Sequence, residues 1–219
     1  MSNSNLNGNN NAQSTEYQAP RVEAAVSPSS PTPSKFAKGL IEQIELIAIA
    51  FAVIIVIFSF FFRTCEVSGS SMDTTLKDGE NVLISSFLYE PERGDIIVFH
   101  NTNPEIESIN EPMVKRVIGL PGDEVTVEYF SDTDTMKVTV KYSDGTEEVL
   151  KEDYIQYQYS QRDTNKTFKV KEGTLFVMGD NRTVSLDSRS SDIGLVDSRR
   201  VLGKVILRIT PFSEFGKVE

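Results

Sequence analysis

The chain has 219 residues, a formal net charge of -10, one cysteine and one histidine. This length suits a short tail, one membrane segment and one domain of ordinary size. Nearly all of the negative charge lies in residues 63–219, and an acidic domain repels phosphate backbones, so we expect no nucleic-acid partner. One cysteine excludes an intrachain disulfide, and one cysteine with one histidine is too few for a zinc site. We therefore expect no metal and no cofactor.

Two segments of contrasting composition open the chain. Residues 1–39 are rich in Asn, Ser, Gln and Pro and have no helical or strand period, which predicts a disordered tail. Residues 46–62 then form an apolar run without a charge, which predicts a transmembrane helix at residues 40–63. A buried core helix would show a polar face, and this run has none. A cleavable signal peptide would carry its basic residues near residue 1.

The charges that flank the apolar run indicate its orientation. Lys35 and Lys38 precede the run, whereas Arg63 and then Glu66 follow it. The positive-inside rule therefore predicts a cytoplasmic tail and an extracytoplasmic domain of residues 64–219 at the cell membrane. Because an acidic domain repels anionic lipid head groups, whatever holds this protein to membrane lipid must be apolar.

After residue 66 the pattern changes to short runs rich in Val, Ile, Phe and Tyr, separated by turn signals that contain Gly, Pro and Asp. These runs predict strands at residues 80–85, 95–100, 114–120, 124–129, 136–142, 174–178 and 201–209. Residues 130–172 are more polar and less regular, which indicates an inserted hairpin with loops. The predicted fold is mainly β, an antiparallel sheet domain preceded by one transmembrane helix.

Three clusters carry residue types that are suited to catalysis. The first reads SGSSMDTTL at residues 68–76. Its glycine permits a tight turn that exposes a hydroxyl and aims N–H groups at an oxyanion, although Ser and Gly are also typical of a flexible loop. The third cluster, which lies farthest along the chain, reads GDNRTVSLDSR at residues 179–189. Its acids, arginines and hydroxyls suit either a loop braced by ion pairs or a solvated loop.

The second cluster places Lys115 and Arg116 inside an apolar strand. Arginine stays protonated in proteins and cannot accept a proton from serine, whereas a lysine with a lowered pKa can. Lys115 is therefore a candidate general base, and Arg116 is a candidate ion-pair partner. The alternative is an edge strand that is protected by exposed charges.

Four sequence blocks follow the apolar run in order: SSMDTTL (70–76), RGDIIVF (93–99), KRVIGLPGD (115–123), and GDNR with SLDSR (179–189). Together they resemble the bacterial type I signal peptidases of the single-span kind common in Gram-positive bacteria. The resemblance covers residues 40–210. It implies a membrane-bound serine endopeptidase that removes signal peptides from exported preproteins and has a coiled antiparallel β domain with a small inserted cap.

The resemblance also assigns roles to individual residues. Ser71 would be the nucleophile and Lys115 the general base of a Ser–Lys dyad, and Ser185 would orient the lysine. Four further residues would brace the site: Asp180, Arg182, Asp187 and Arg189. Of these, Asp180 would be the ion-pair partner of Arg116. Two positions depart from the family pattern. Gly69 replaces a serine that supplies a hydroxyl in some relatives, and Thr74 stands where the family usually has proline.

Three other interpretations compete with this one. A membrane-anchored, non-catalytic β-domain surface or binding protein explains the apolar run and the acidity, but not the two cations in an apolar run or the block order. A self-cleaving repressor with a Ser–Lys pair would lack the membrane segment. A serine protease with His100 as its base is disfavoured because Lys115 occupies its expected block.

Overall fold

The computed structural model describes residues 35–101, 111–155 and 165–218. Within these ranges one α-helix is followed by eleven β-strands in two antiparallel sheets, so the mainly β fold predicted from the sequence is confirmed. The bounds are α1 Lys35–Phe61, β1 Phe62–Glu66, β2 Asn81–Ser85, β3 Ile96–His100, β4 Pro112–Gly119, β5 Glu124–Phe130, β6 Thr135–Lys141, β7 Glu147–Val149, β8 Lys166–Lys169, β9 Thr174–Met178, β10 Val196–Asp197 and β11 Val201–Thr210.

Helix α1 contains the apolar run. Its segment Phe36–Phe61 is long and apolar enough to cross a membrane, and its most apolar stretch is not buried against other described residues. The helix begins before the predicted start at residue 40, because the Lys, Phe and Ala that follow Ser34 are all compatible with a helix. Residues 1–34, the greater part of the predicted tail, lie outside the described residues.

The end of α1 is joined to the sheet by more than the chain itself. Strand β1 follows Phe61 directly, and its first residue, Phe62, pairs with Ser85 of β2. The Ser86 N–H donates a hydrogen bond to the Phe61 carbonyl over 3.1 Å. The rings of Phe61 and Phe87 also meet edge to face, with centroids 4.7 Å apart. Two neighbouring strands therefore hold the end of the helix.

The larger sheet has seven strands in the spatial order β1-β2-β11-β3-β4-β9-β10. Strand β4 lies between β3 and β9 and pairs with both, so Lys115 lies opposite Ile97, and Arg116 lies opposite Ile96 and Met178. The interpretation of this segment as an edge strand is therefore wrong. Lys115 and Arg116 are only 2% and 4% exposed, so other parts of the domain cover both faces of this central strand.

The smaller sheet has the order β7-β6-β5-β8 and comes from the chain between β4 and β9. It begins with β5, so it includes the predicted strand 124–129 as well as part of the predicted insertion at residues 130–172. Alternate valines of β5 and β6 pack with side chains of β4 and β9, and these residues form a shared core: Ile118, Val125, Val127, Val138, Val140, Phe176 and Met178. This core attaches the smaller sheet beside the strand that carries Lys115.

Candidate active site

The candidate nucleophile lies in the loop between β1 and β2. Met72 and Leu76 have fully buried side chains, which anchor the loop in the core of the larger sheet. The Gly69 N–H donates to Asp78 Oδ1 over 2.7 Å, and the Asn181 N–H donates to the Ser71 carbonyl over 3.1 Å. Ser71 itself is only partly buried. Its backbone is therefore fixed while its hydroxyl stays accessible.

The candidate base reaches this hydroxyl from β4. Lys115 Nζ lies 2.7 Å from Ser71 Oγ and 2.9 Å from the Val114 carbonyl oxygen, and the residue is 2% exposed. The distance between Nζ and Oγ falls within the hydrogen-bond range expected of a serine and its base. Burial lowers the pKa of Lys115 from 10.5 to about 8, although the nearby carboxylates of Asp187 and Asp180 oppose this change.

Arg116 faces the opposite side of β4 and forms the ion pair expected from the sequence. Its guanidinium donates to Asp180 through Nε at 2.9 Å and Nη2 at 2.7 Å, and to the Gly94 carbonyl at 2.9 Å. Gly94 has a φ of 87°, a conformation that suits glycine. Asp180 also accepts the Thr75 hydroxyl at 2.5 Å. The ion pair therefore links the strand of the base to the loop of the nucleophile.

A second ion pair shapes the loop after β9. Arg189 donates to the buried Asp187 carboxylate over 2.8 Å and 2.9 Å, and the Gly179 N–H donates to the same carboxylate over 3.0 Å. Burial alone would raise the pKa of Asp187, but the charge of Arg189 and these hydrogen bonds lower it overall. Arg189 also donates to the Arg182 carbonyl over 3.1 Å. The loop is thus held by charge-assisted hydrogen bonds rather than solvated.

Gly179 lies in the narrowest part of the site. A Cβ at this position would come within 2.4 Å of the Ser71 carbonyl oxygen and 2.2 Å of Ser185 Oγ. Only glycine permits this close approach between the loop and the nucleophile's backbone. Ser185 is buried, and its hydroxyl makes no hydrogen bond to Lys115, although it lies near enough to the Asp187 carboxylate to help lower the pKa of Asp187. Its proposed contact with the lysine is therefore absent in this conformation.

Two residues of the site were missed by the sequence analysis. Glu152 accepts two hydrogen bonds from the fully buried Arg182, at 2.9 Å and 2.5 Å. The Arg116 guanidinium lies over the Tyr154 ring, 3.9 Å from its centroid. Both residues belong to the polar segment that was interpreted as an insertion. The only signal in the sequence for these contacts was that a buried arginine requires a carboxylate partner. That requirement does not identify which carboxylate the partner is.

A cleft of about 330 Å³ opens beside the dyad. Its walls come from the nucleophile loop, the start of β4 and the loop after β9, and they include Gly69, Ser71, Met113, Lys115, Val184 and Leu186. An open, partly apolar cleft between two backbone segments suits a peptide in extended conformation. Among the described residues, no group of three His, Cys, Asp or Glu side chains is placed to hold a metal ion.

Comparison with known proteins relates this site to characterised enzymes. The family model described as "Signal peptidase, peptidase S26" matches residues 40–210, which include all four sequence blocks. Signal peptidase IB of Staphylococcus aureus strain Mu50 is 38% identical over 188 residues, covering 81% of this chain and 93% of that protein. Signal peptidase I of Bacillus licheniformis is 35% identical over 186 residues, covering 82% and 94%. The crystal structure of a signal peptidase I from Enterococcus faecalis V583 shares 32% identity, covers 53% of this chain and 97% of that chain, and gives a TM-score of 0.37.

Proposed function

We propose that this chain, which belongs to the signal peptidase family (peptidase S26), removes signal peptides from exported preproteins with a Ser–Lys dyad. In this dyad Ser71 attacks the scissile peptide bond, and Lys115 is its general base. The observation that carries this assignment is the 2.7 Å contact between Lys115 Nζ and Ser71 Oγ, made by a lysine that is 2% exposed. A non-catalytic surface protein is not favoured, because such a protein has no use for a buried lysine in contact with a serine hydroxyl.

The reaction begins with neutral Lys115. In that form Nζ has a lone pair and accepts the proton of the Ser71 hydroxyl while Oγ attacks the carbonyl carbon of the substrate. The Ser71 backbone N–H stabilises the resulting oxyanion. Protonated Lys115 then gives its proton to the leaving amine. Water releases the acyl group from Ser71 with the lysine acting as base again.

The supporting residues hold the two reacting groups. Asp180 and Arg116 connect the base strand to the nucleophile loop, and Arg182, Asp187 and Arg189 stabilise the loop after β9. Ser185 orients the lysine by approaching Nζ when substrate fills the cleft, as the resemblance to the family implies. The substrate binds as an extended strand. The small side chains that precede its scissile bond, as in A-x-A-like signal sites, enter the cleft.

The first test measures activity against pH. We expect kcat/KM for a preprotein to rise with pH and to reach half its plateau near pH 8, because only neutral Lys115 accepts the serine proton and its pKa is lowered to about 8. Below this value the rate should fall about tenfold per pH unit. A profile with its midpoint near the ordinary pKa of histidine, about 6.5, would instead favour His100 as the base.

The second test concerns the membrane. We propose a cytoplasmic tail, a single transmembrane helix, and an extracytoplasmic peptidase domain that carries the insertion at about 130–172. From the sequence, these parts are predicted at residues 1–39, 40–63 and 64–219, whereas the helix has the bounds Lys35–Phe61 and the first strand of the domain begins at Phe62. With an epitope at each terminus, protease added to intact spheroplasts should remove the C-terminal epitope and spare the N-terminal one. Permeabilised spheroplasts, in which both should be lost, serve as the control. Protection of the C-terminal epitope in intact cells would reverse the orientation.

A further inference from the structure

Thr74 has an unusual backbone conformation three residues after the nucleophile. Its φ is 91°, a region that β-branched residues rarely adopt. The Thr74 hydroxyl donates a hydrogen bond to the Tyr154 carbonyl over 2.8 Å, and its N–H bonds to Asp73 Oδ1 over 3.0 Å. These bonds hold Thr74 in its strained position.

Tyr154 belongs to residues 151–154, which lead out of the smaller sheet, and its carbonyl is itself held in place. The Tyr154 hydroxyl donates to Glu152 Oε1 over 2.9 Å, and Glu152 is fixed by the fully buried Arg182. The Tyr154 ring lies against the guanidinium of Arg116, 3.9 Å from the ring centroid. The segment therefore presents the carbonyl to Thr74 from a rigid support.

The same segment contacts residues near both members of the dyad. Through its carbonyl, Tyr154 contacts the loop that carries Ser71, and through its ring it contacts the residue next to Lys115 on β4. Ser71 and Thr74 lie in one hydrogen-bonded turn, since the Asp73 N–H donates to the Ser70 carbonyl over 3.1 Å and the Thr75 N–H to the Met72 carbonyl over 3.0 Å. A shift of the segment would change the separation of nucleophile and base.

We propose that residues 151–154 act as a brace that sets the distance between Ser71 Oγ and Lys115 Nζ, with the Thr74 hydroxyl as its contact on the nucleophile loop. Thr74 and Tyr154 are then positioning residues for the reaction. This inference rests on the proposed roles of Ser71 and Lys115.

The test compares variants of Thr74 in the full-length enzyme, with a preprotein as substrate. Thr74→Gly removes the hydroxyl but accepts a φ of 91° without strain, so its folding is not at risk for that reason. Thr74→Val removes the hydroxyl and keeps the shape, whereas Thr74→Ser keeps the hydroxyl. We expect kcat to fall about tenfold or more in the glycine and valine variants, with KM unchanged, and to recover in the serine variant. Thr126→Val, which removes an exposed threonine hydrogen bond in the smaller sheet, is the matched control.

A double-mutant cycle tests whether the two residues act together. Tyr154→Leu removes the ring from Arg116, and combining it with Thr74→Gly should cost little more than either change alone, because both disable one brace. Multiplicative losses, or a Thr74→Gly enzyme with the kcat of the wild type, would overturn the brace. Ser71→Ala assayed alongside separates the two proposals: if it is inactive while Thr74→Gly is fully active, the brace is wrong and the proposed function stands.

Discussion

Replacing Ser71 with alanine should lower kcat/KM for a preprotein by at least about 10⁴-fold, because the attacking oxygen is lost and the remaining site supplies only binding and oxyanion stabilisation. The fold should be retained, since Ser71 is partly exposed and its carbonyl, which accepts from the Asn181 N–H, is unaffected. Cleavage of the preprotein followed by gel electrophoresis measures the loss, and thermal unfolding of the same preparation checks the fold.

Two neighbouring serines are the controls for this substitution. Ser68 and Ser70 lie in the same loop and line the same cleft, but neither contacts Lys115. Ser68→Ala and Ser70→Ala should therefore keep most of the activity. A folded Ser71→Ala protein with near-normal turnover would show that the nucleophile is a different residue.

Replacing Lys115 with arginine should be as damaging as replacing it with alanine, with kcat lowered by at least about 10³-fold in each case. Arginine keeps the positive charge but cannot accept the serine proton at any accessible pH. The measurement is kcat across pH for both variants, and neither should recover activity at high pH. An active Lys115→Arg enzyme would mean that the cation acts electrostatically and that the base lies elsewhere.

Lys204 and His100 are the natural controls for the base. Lys204 also lies among apolar residues, but its ammonium pairs with Asp95 at 2.5 Å and is partly exposed. His100 ends β3 and belongs to the same sheet. Lys204→Ala and His100→Ala should both keep turnover and the pH midpoint near 8. Loss of turnover in either variant, with Lys115→Ala active, would reassign the base.

Strands with a clear apolar pattern were predictable from the sequence. The predicted strand 174–178 has the bounds of β9, and the other predicted strands are shifted by only a few residues. The four strands that were missed lack the signal: β1 follows the apolar helix without a break, β7 has three exposed residues, β8 has four mostly exposed residues in the polar segment, and β10 has two residues. Their pairing with long neighbours, rather than their own sequence, makes them strands.

Within the site, the motif blocks identified the residues but not all of their contacts. The blocks named Lys115 and Asp180, and the structure brings them to Ser71 and Arg116 as expected. Strand periodicity left open which cation of β4 is buried. Both are, because loops cover both faces of the strand: Lys115 meets the loop of Ser71, and Arg116 meets Asp180 and Tyr154. The contact of Tyr154 with Arg116 joins residues that are remote in sequence, and no local pattern encodes such a contact.

The connection between α1 and the sheet determines where a membrane-anchored form of this chain cuts. No flexible linker separates Phe61 from the domain, because β1 begins at the next residue and pairs with β2 along its whole length. The Ser86 N–H and the Phe87 ring fix the end of the helix from the side. If α1 spans the membrane as proposed, a paired strand rather than a flexible linker sets the distance from the end of that helix to the loop of Ser71. An enzyme anchored in this way would cut the bond that a substrate presents at that distance from the membrane.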